Sequence, residues 1–547
     1  MNNKLSSNNN LSHKIARSNL RAISSLSNKY WNKLWKREAP HFLLVLITTV
    51  TSLVMALPLF YVVYRSFFAG KDRWMRLLDT RIPSLLNNTL SLTIVVTFSA
   101  TVIGVLLAFL VERCELPGKK MWQWLLALPL VIPPYVGAVT YIIVMGPRGW
   151  LFQWLGQSPF NIYSFWGVAF VLTMFTYPYV FLITSSAIKK MNANYENAAR
   201  SLGLSTGEIL LKVSLPLLRP AIGAGAILVA LYVLSDFGAV AMLRYTTFTS
   251  AIYYQMGSYD NLSATVLSMV FIILTIGILF LESKTKGKQR YVQMSSTFKQ
   301  VDILELKGFK IPAIIFIFLI FGLSFLLPIT VLLYWARQGV MLGALDSRFW
   351  VYALNSIKVS SIAAIASMVL SLPIVYMKSR YPSRYTTIID KLSYSGYSLP
   401  GVIVALGIIF LFNQYIPWLY GSYILISVAY IIRFLPQSLQ GGESSLSLVS
   451  PRIDEGARSL GYPSWKVLFK VILPLIAPGV LAGGALVFVS SLKELPATLI
   501  LRPPGFDTLA VRVWVDAGES LYHMAAPASL FLILVSLIPL KWMLNKY

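Results

Sequence analysis

The sequence predicts an all-α polytopic membrane protein of about twelve transmembrane helices, arranged as two parallel six-helix halves. Low charge, long uncharged runs and an internal repeat predict it. Charged residues make up 12% of the 547 residues and hydrophobic ones 56%, with a mean hydropathy of +0.67. A soluble domain carries about 25% charge. Asp, Glu, Lys and Arg are absent from 42–64, 82–111, 121–147, 149–188, 261–281, 311–336, 359–377, 392–432 and 471–492. About 20 apolar residues cross the hydrocarbon core as a helix, and these runs lack the short alternation of a membrane barrel. Finally, Glu196-Asn-Ala-Ala-Arg-Ser-Leu-Gly203 recurs 258 residues later as Asp454-Glu-Gly-Ala-Arg-Ser-Leu-Gly461, each copy lying between apolar segments.

Taken in order, residues 1–40 form a basic tail with eight Lys or Arg and one Glu. It is too long for a secretory n-region, and the apolar run after it is long enough to span. A retained first helix with a cytoplasmic amino terminus is expected. The tail either only sets topology or also binds anionic lipid or a partner. Spans are expected at 42–65, 88–111, 121–145, 165–187, 221–241, 262–281, 311–335, 353–377, 395–413, 420–437, 479–499 and 525–543. The even number returns the carboxyl terminus, with Lys541 and Lys546, to the cytoplasm. The first half covers 41–282 with a polar loop at 190–220, and the second covers 311–547 with a polar loop at 446–478. Between them, 283–310 reads as a basic cytoplasmic linker. Loops 112–120 and 378–391 also fall inside, as the positive-inside rule expects. Loop 67–87 is the exception: it falls outside yet carries Lys71, Arg73, Arg76 and Arg81.

The halves correspond residue by residue. Pro178 pairs with Pro436, Gly203 with Gly461, Pro216 with Pro474, Pro220 with Pro478, Asp236 with Glu494 and Arg244 with Arg502, all at an offset of 258. Asn88 with Asn355 and Pro133 with Pro400 keep an offset of 267, so about nine extra residues are expected in the first half at 146–164. Six spans per half make the halves parallel, with a pseudo-twofold axis along the membrane normal.

Composition excludes several classes. The net charge of +26 sits mostly in loops between spans, which argues against a nucleic-acid partner. The single cysteine, Cys114, rules out a disulfide within the chain and any multi-Cys zinc site. His13, His41 and His523 are scattered, so no tightly bound metal is expected. No Gly-x-x-x-x-Gly-Lys-Ser/Thr phosphate loop occurs, and Gly118-Lys119-Lys120 lacks its partners. With no catalytic constellation and no cofactor of its own, the chain reads as a transport subunit rather than an enzyme.

Residues 191–202 suit a short helix with a small apolar face of Ala198, Ala199 and Leu202. Gly203 permits a left-handed turn. Residues 205–214 suit a second helix, started by capping-type residues and Glu208. Pro216 is expected to end it and Pro220 to open the next span. The second copy repeats this with Ala457, Gly461, Ser464 and Pro474. The prediction is a helix–turn–helix at the cytoplasmic surface, built from small residues that let another protein approach closely.

These loops resemble the EAA motif of ABC importer permeases, Glu-Ala-Ala, three residues, then Gly. Glu455, Gly456, Ala457 and Gly461 occupy the motif in the second half; Asn197, Ala198, Ala199 and Gly203 do so in the first. Asn197 departs from the usual Glu, with Glu196 adjacent, and Gly456 departs from the first Ala. The resemblance implies that each loop is a coupling helix docking in a cleft of an ATP-binding subunit. It also implies a stronger acidic contact in the second loop. Ser235-Asp-Phe-Gly-Ala-Val240 with Leu243-Arg-Tyr245, and Lys493-Glu-Leu-Pro-Ala-Thr498 with Leu501-Arg-Pro-Pro-Gly-Phe-Asp-Thr508, resemble the fused permeases of ferric-iron ABC importers. That likeness covers about residues 42–545 and implies a bacterial inner-membrane permease working by alternating access. Its implied partners are two ATP-binding subunits, which carry the ATP and Mg, and an extracytoplasmic solute-binding protein. A thiamine or other small-solute permease, and an ion-coupled secondary transporter, are the alternatives.

Asp236 and Glu494 fall inside or near the end of an apolar span, where charge is costly and faces a pathway or another charge. They line the route or latch a gate, with Arg433 a candidate partner, or they form an internal salt bridge. Two acids could attract a trivalent cation but offer too few ligands to hold it tightly. Arg244 and Arg502, near the outer ends of the fifth spans, contact the lobes of the binding protein or snorkel to lipid phosphate.

Overall fold

The computed structural model describes residues 40–157, 160–285 and 302–544. All but Pro40 of the expected tail at 1–40, most of the 283–310 linker and Lys546 lie outside the described residues. The described residues are mostly helical, and a parallel β-bridge joins Cys114 and Leu304. Ten helices are long and apolar enough to cross a membrane, or up to twelve if each of two bent pairs is one span.

The bent pairs fall on the expected third and ninth spans. Lys119–Val131 meets Pro134–Leu155 at 90°, and Arg384–Tyr397 meets Gly401–Tyr415 at 106°. Uninterrupted helices at 121–145 and 395–413 are therefore corrected to broken ones. The cause is local. Ile132 and Leu399 precede Pro133 and Pro400, and a residue before proline is pushed out of the helical region; Ile132 is extended at φ −83°, ψ 117°. The proline pair that marked the repeat thus makes the same break twice.

The fifth and eleventh spans differ from expectation at both ends. Their helices run continuously over Thr206–Ser235 and Leu468–Leu492. Neither Pro216 nor Pro474 ends a helix. Each follows a π-helical turn, Leu210–Ser214 and Leu468–Ile472. A third such turn, Gly322–Leu326, precedes Leu327-Pro328. Proline lacks an N–H and its ring crowds the carbonyl one turn earlier. A turn widened by one residue re-registers those carbonyls, so the helix continues. At the far ends the helices stop at Ser235 and Leu492, and short helices Gly238–Met242 and Pro496–Leu501 follow.

By proximity the described residues divide into two compact units that do not follow the sequence halves. One comprises 40–57, 363–397 and 431–487, and the other the described residues of 58–362, with 398–430 and 488–544. In the first unit, helices Tyr423–Leu446 and Leu473–Leu492 approach through glycine: a Cβ on Gly441 would lie 2.4 Å from the Gly479 carbonyl, and one on Gly483 2.8 Å from the Ser438 Cα. Small residues let backbones meet where lipid gives no hydrophobic drive between helices. Buried hydroxyls add links, Ser371 to Ser438 at 2.9 Å and Ser52 to Ser393 at 2.7 Å. In the second unit the packing repeats at the symmetric position, where a Cβ on Gly225 would lie 2.8 Å from the Val180 Cα. A further core there joins Val139 and Ile143 to Val331, Ala517 and Ala525.

Candidate functional site: two anchored loops and the span breaks

The first repeated loop is helix Asn194–Ser201, a left-handed Gly203 at φ 82°, and a capping box in which Ser205 and Glu208 serve each other's backbone N–H. Leu204 N donates to Ala199 O at 3.2 Å, closing the turn. The second is helix Pro451–Ser459 and Gly461 at φ 86°, closed by Tyr462 N to Ala457 O at 3.3 Å.

Each helix is held from below by a buried, two-pronged arginine. Arg113, the last residue of helix Ile82–Arg113, donates from Nη1 and Nη2 to the two Glu196 oxygens at 2.9 and 2.8 Å. Ser214 Oγ donates to the same carboxylate at 2.6 Å. Arg380, the last residue of helix Ser347–Arg380, donates to both Asp454 oxygens at 3.0 and 3.1 Å, and to Val449 O at 3.1 Å. Arg113 and Glu196 are each 1% exposed. Such forked, charge-assisted contacts fix geometry as well as energy. Arg113 and Arg380 were missed from sequence; they keep the 267-residue offset, which was the available signal.

The motif positions divide by burial. Ala199 and Ala457 pack inward. Asn197 is half-buried and accepts from Arg200 at 3.1 Å, while Ala198, Glu455 and Gly456 are exposed. The expected apolar face of Ala198, Ala199 and Leu202 is corrected: Leu202 points away, 83% exposed, as does Leu460 at 81%. Tyr195 with Ile453, and Leu211 with Phe469, are exposed at paired positions too. Beside the first loop, Leu304 N donates to Arg113 O at 2.7 Å, and Asp302 pairs with Arg200 at 2.8 Å.

Asp236 and Glu494 stand in the breaks, not within helices. The Asp236 carboxylate accepts from Ala239 N at 3.0 Å and Val240 N at 3.2 Å, and its carbonyl accepts from Thr249 Oγ1 at 2.6 Å. Glu494, buried, accepts from Ala497 N at 3.3 Å, and its carbonyl accepts from Thr498 Oγ1 at 2.8 Å. Each acid therefore caps the short helix that follows it, a use that favours negative charge. Arg433 lies on helix Tyr423–Leu446 with its guanidinium over the Phe434 ring, 5.3 Å from the centroid. Lys493 donates to Leu130 O at 2.9 Å, across to the break in the third span. A lysine at membrane depth costs about 2.5–3.5 kcal/mol on insertion scales. Among the described residues, no group of three or more His, Cys, Asp or Glu could hold a metal ion.

Arg244 and Arg502 are not equivalent in setting. Arg244 is exposed in a left-handed conformation at φ 55°, its guanidinium 5.6 Å from the Tyr163 ring centroid. Arg502 is paired with Asp507, which also lies 3.6 Å from Arg512. Near the exceptional basic loop, Arg73 pairs with Asp260 at 3.7 Å. Burial pushes the Asp260 carboxyl up, but the Ser263 hydroxyl and N–H, with Arg73 and Arg76, outweigh it and hold the group below its ordinary value.

The chain matches the family described as binding-protein-dependent transport system inner membrane component twice, over 117–282 and 372–541. It is 33% identical to the Fe(3+)-transport system permease protein FbpB 2 of Haemophilus influenzae, over 93% of this chain and 99% of that protein. It is 23% identical to the ferric transport system permease protein FbpB of Actinobacillus pleuropneumoniae, over 94% of this chain and 80% of that one. The sulfate transport system permease protein CysT of Escherichia coli is 26% identical, over 45% of this chain and 92% of its own length. A relative that is nearly complete within less than half of this chain fits a duplicated permease. Two family matches at the two repeated loops, on a polytopic helical scaffold, make this chain a two-half member of the binding-protein-dependent transport system inner membrane component family.

Proposed function

We propose that this chain is the permease subunit of an ATP-driven importer for ferric iron, working by alternating access. The observation that carries the substrate is the match along 93% of the chain to a relative named for Fe(3+) transport. The repeated loops support the mechanism. Each presents an exposed leucine, Leu202 or Leu460, on a helix anchored by a buried ion pair to the end of a span. A rigidly anchored helix transmits a push to that span, whereas a loosely tethered one would absorb it. Two such loops suit two ATP-binding subunits at the cytoplasmic face, with both termini on that side and a solute-binding protein opposite. ATP and Mg would sit on the partner. Arg244, exposed, is better placed to meet that binding protein than Arg502, which Asp507 already engages. An ion-coupled carrier has no support from a family defined by dependence on a binding protein.

The deciding experiment is uptake of radiolabelled ferric iron by cells that depend on this chain, with thiamine as competitor. Iron uptake indifferent to thiamine is expected; thiamine uptake without iron uptake would replace the substrate.

Gly461→Val should leave the fold intact yet abolish ATPase coupling. No atom lies within 4 Å of a Cβ there, so strain rather than a clash is the cause, from φ 86°. An L-residue pays about 1–2 kcal/mol in that region, and a β-branched one more. Wild-type transport by the variant would remove the loop from the coupling path.

Asp236→Asn with Glu494→Gln should lower transport while the partner subunits still assemble. The amide oxygens can still cap the short helices, so the charge alone is lost. If transport continues at the wild-type rate, the acids serve only as caps.

A further inference from the structure

Within the second compact unit, three breaks converge. Lys493, in the break after Leu492, donates to Leu130 O at 2.9 Å, in the last turn before the break of the third span. Gly238, the first residue of the short helix after the break at Asp236, packs on Tyr135, where a Cβ would lie 2.8 Å from the Tyr135 Cβ. Tyr135 is 4% exposed, its hydroxyl has no hydrogen-bond partner, and it lies within electrostatic reach of Tyr430 and Glu494.

Lys493 is unusual in how little surrounds its charge. Among the described residues, Leu130 O is its one hydrogen-bond or ion-pair partner. An ammonium carries three donors, and a neutral carbonyl satisfies one without neutralising it. Lys493 is half-buried, and a cation drawn away from water is normally paired, because an unpaired charge there is strongly disfavoured. The symmetric residue in the first half is Ser235, whose hydroxyl is used within its own helix, on Tyr232 O at 3.0 Å. At this paired position only the second half has a cation. With it stands a buried phenol donor that the protein leaves unfilled.

A cation and an unfilled hydroxyl are complementary to oxygen atoms bearing negative charge. The acids Asp236 and Glu494 stand in the same breaks and favour a metal cation. We propose that Lys493 and Tyr135 form a passing site for an oxyanion, a carboxylate or a phosphate, that travels with the metal cargo. The site rests on the ferric-iron reading and extends it: the pathway takes the metal with its anion.

The test uses proteoliposomes holding the complete importer, with radiolabelled ferric iron supplied with citrate in one arm and with phosphate in the other. Lys493→Met should lower iron uptake by about tenfold or more in the arm whose anion travels, the scale of one lost charge-assisted hydrogen bond. Lys493→Arg should retain uptake, and Tyr135→Phe should lower it in the same arm. Co-purification of the ATPase subunits checks folding of each variant. Wild-type uptake by Lys493→Met in both arms would overturn the site. So would Lys493→Arg failing as completely as Lys493→Met, since the lysine would then only join two breaks. No uptake by the unaltered importer in either arm would instead overturn the ferric reading, which separates the two failures.

Discussion

Removing Glu196 alone, as Glu196→Ala, should cost about 3–5 kcal/mol, the cost of leaving one member of a buried ion pair uncompensated. Arg113 would remain 1% exposed with its carboxylate gone, and Ser214 would lose its acceptor. The measurement is the thermal midpoint of the purified complex together with ATP-driven transport. The double variant Arg113→Met with Glu196→Met should recover most of the stability, because apolar pairs of similar volume replace buried ion pairs at little cost. Transport should recover less, since a forked ion pair holds one geometry and two methionines hold many. The same logic applies to Arg380 and Asp454, which are joined by two hydrogen bonds and have Ile472 where the first half has Ser214. Equal melting of the Glu196 single variant and the unaltered chain would show that the pair anchors nothing.

Leu202→Asp combined with Leu460→Asp should abolish assembly with the ATP-binding subunits. Both side chains are more than 80% exposed, at 83% and 81%, at symmetric places on anchored helices. An exposed apolar residue needs no explanation when single, but a symmetric pair with Tyr195, Ile453, Leu211 and Phe469 around them forms two matching patches. Apolar anchors at the centre of an interface are worth about 2 kcal/mol or more each, so each loop should lose roughly thirtyfold in affinity. Co-purification and permease-dependent ATPase activity read the loss. Unaltered co-purification would exclude the leucines from the docking face. The contrast with the clamp is diagnostic: the leucine variants should melt normally, because neither side chain packs in the fold.

The legible part of this protein follows from local chemistry. A charge-free run of about twenty residues has one physical solution in a bilayer, a helix, so the spans could be placed from composition. Glycine at 203 and 461 announced left-handed turns because few other residues sit there comfortably, and both have positive φ. Proline was harder to interpret. Pro133 and Pro400 do break their helices, whereas Pro216 and Pro474 are absorbed by a π turn. The difference lies in whether the preceding residues can widen their turn, which depends on packing around them.

The site was legible as a place more than as a set of contacts. The repeat located both loops and showed Glu196 beside Asn197, but only the fold turns Glu196 and Asp454 inward to Arg113 and Arg380. An acid and an arginine separated by 83 or 74 positions carry no local signature of pairing. Asp236 and Glu494 could be placed near span ends, but their capping role depends on breaks that a hydropathy run does not show. Hydrophobicity and backbone hydrogen bonding, which are local, settled class, span positions and duplication. Long-range packing settled which charges are buried in pairs, which leucines are left outside, and where Lys493 lies without a carboxylate.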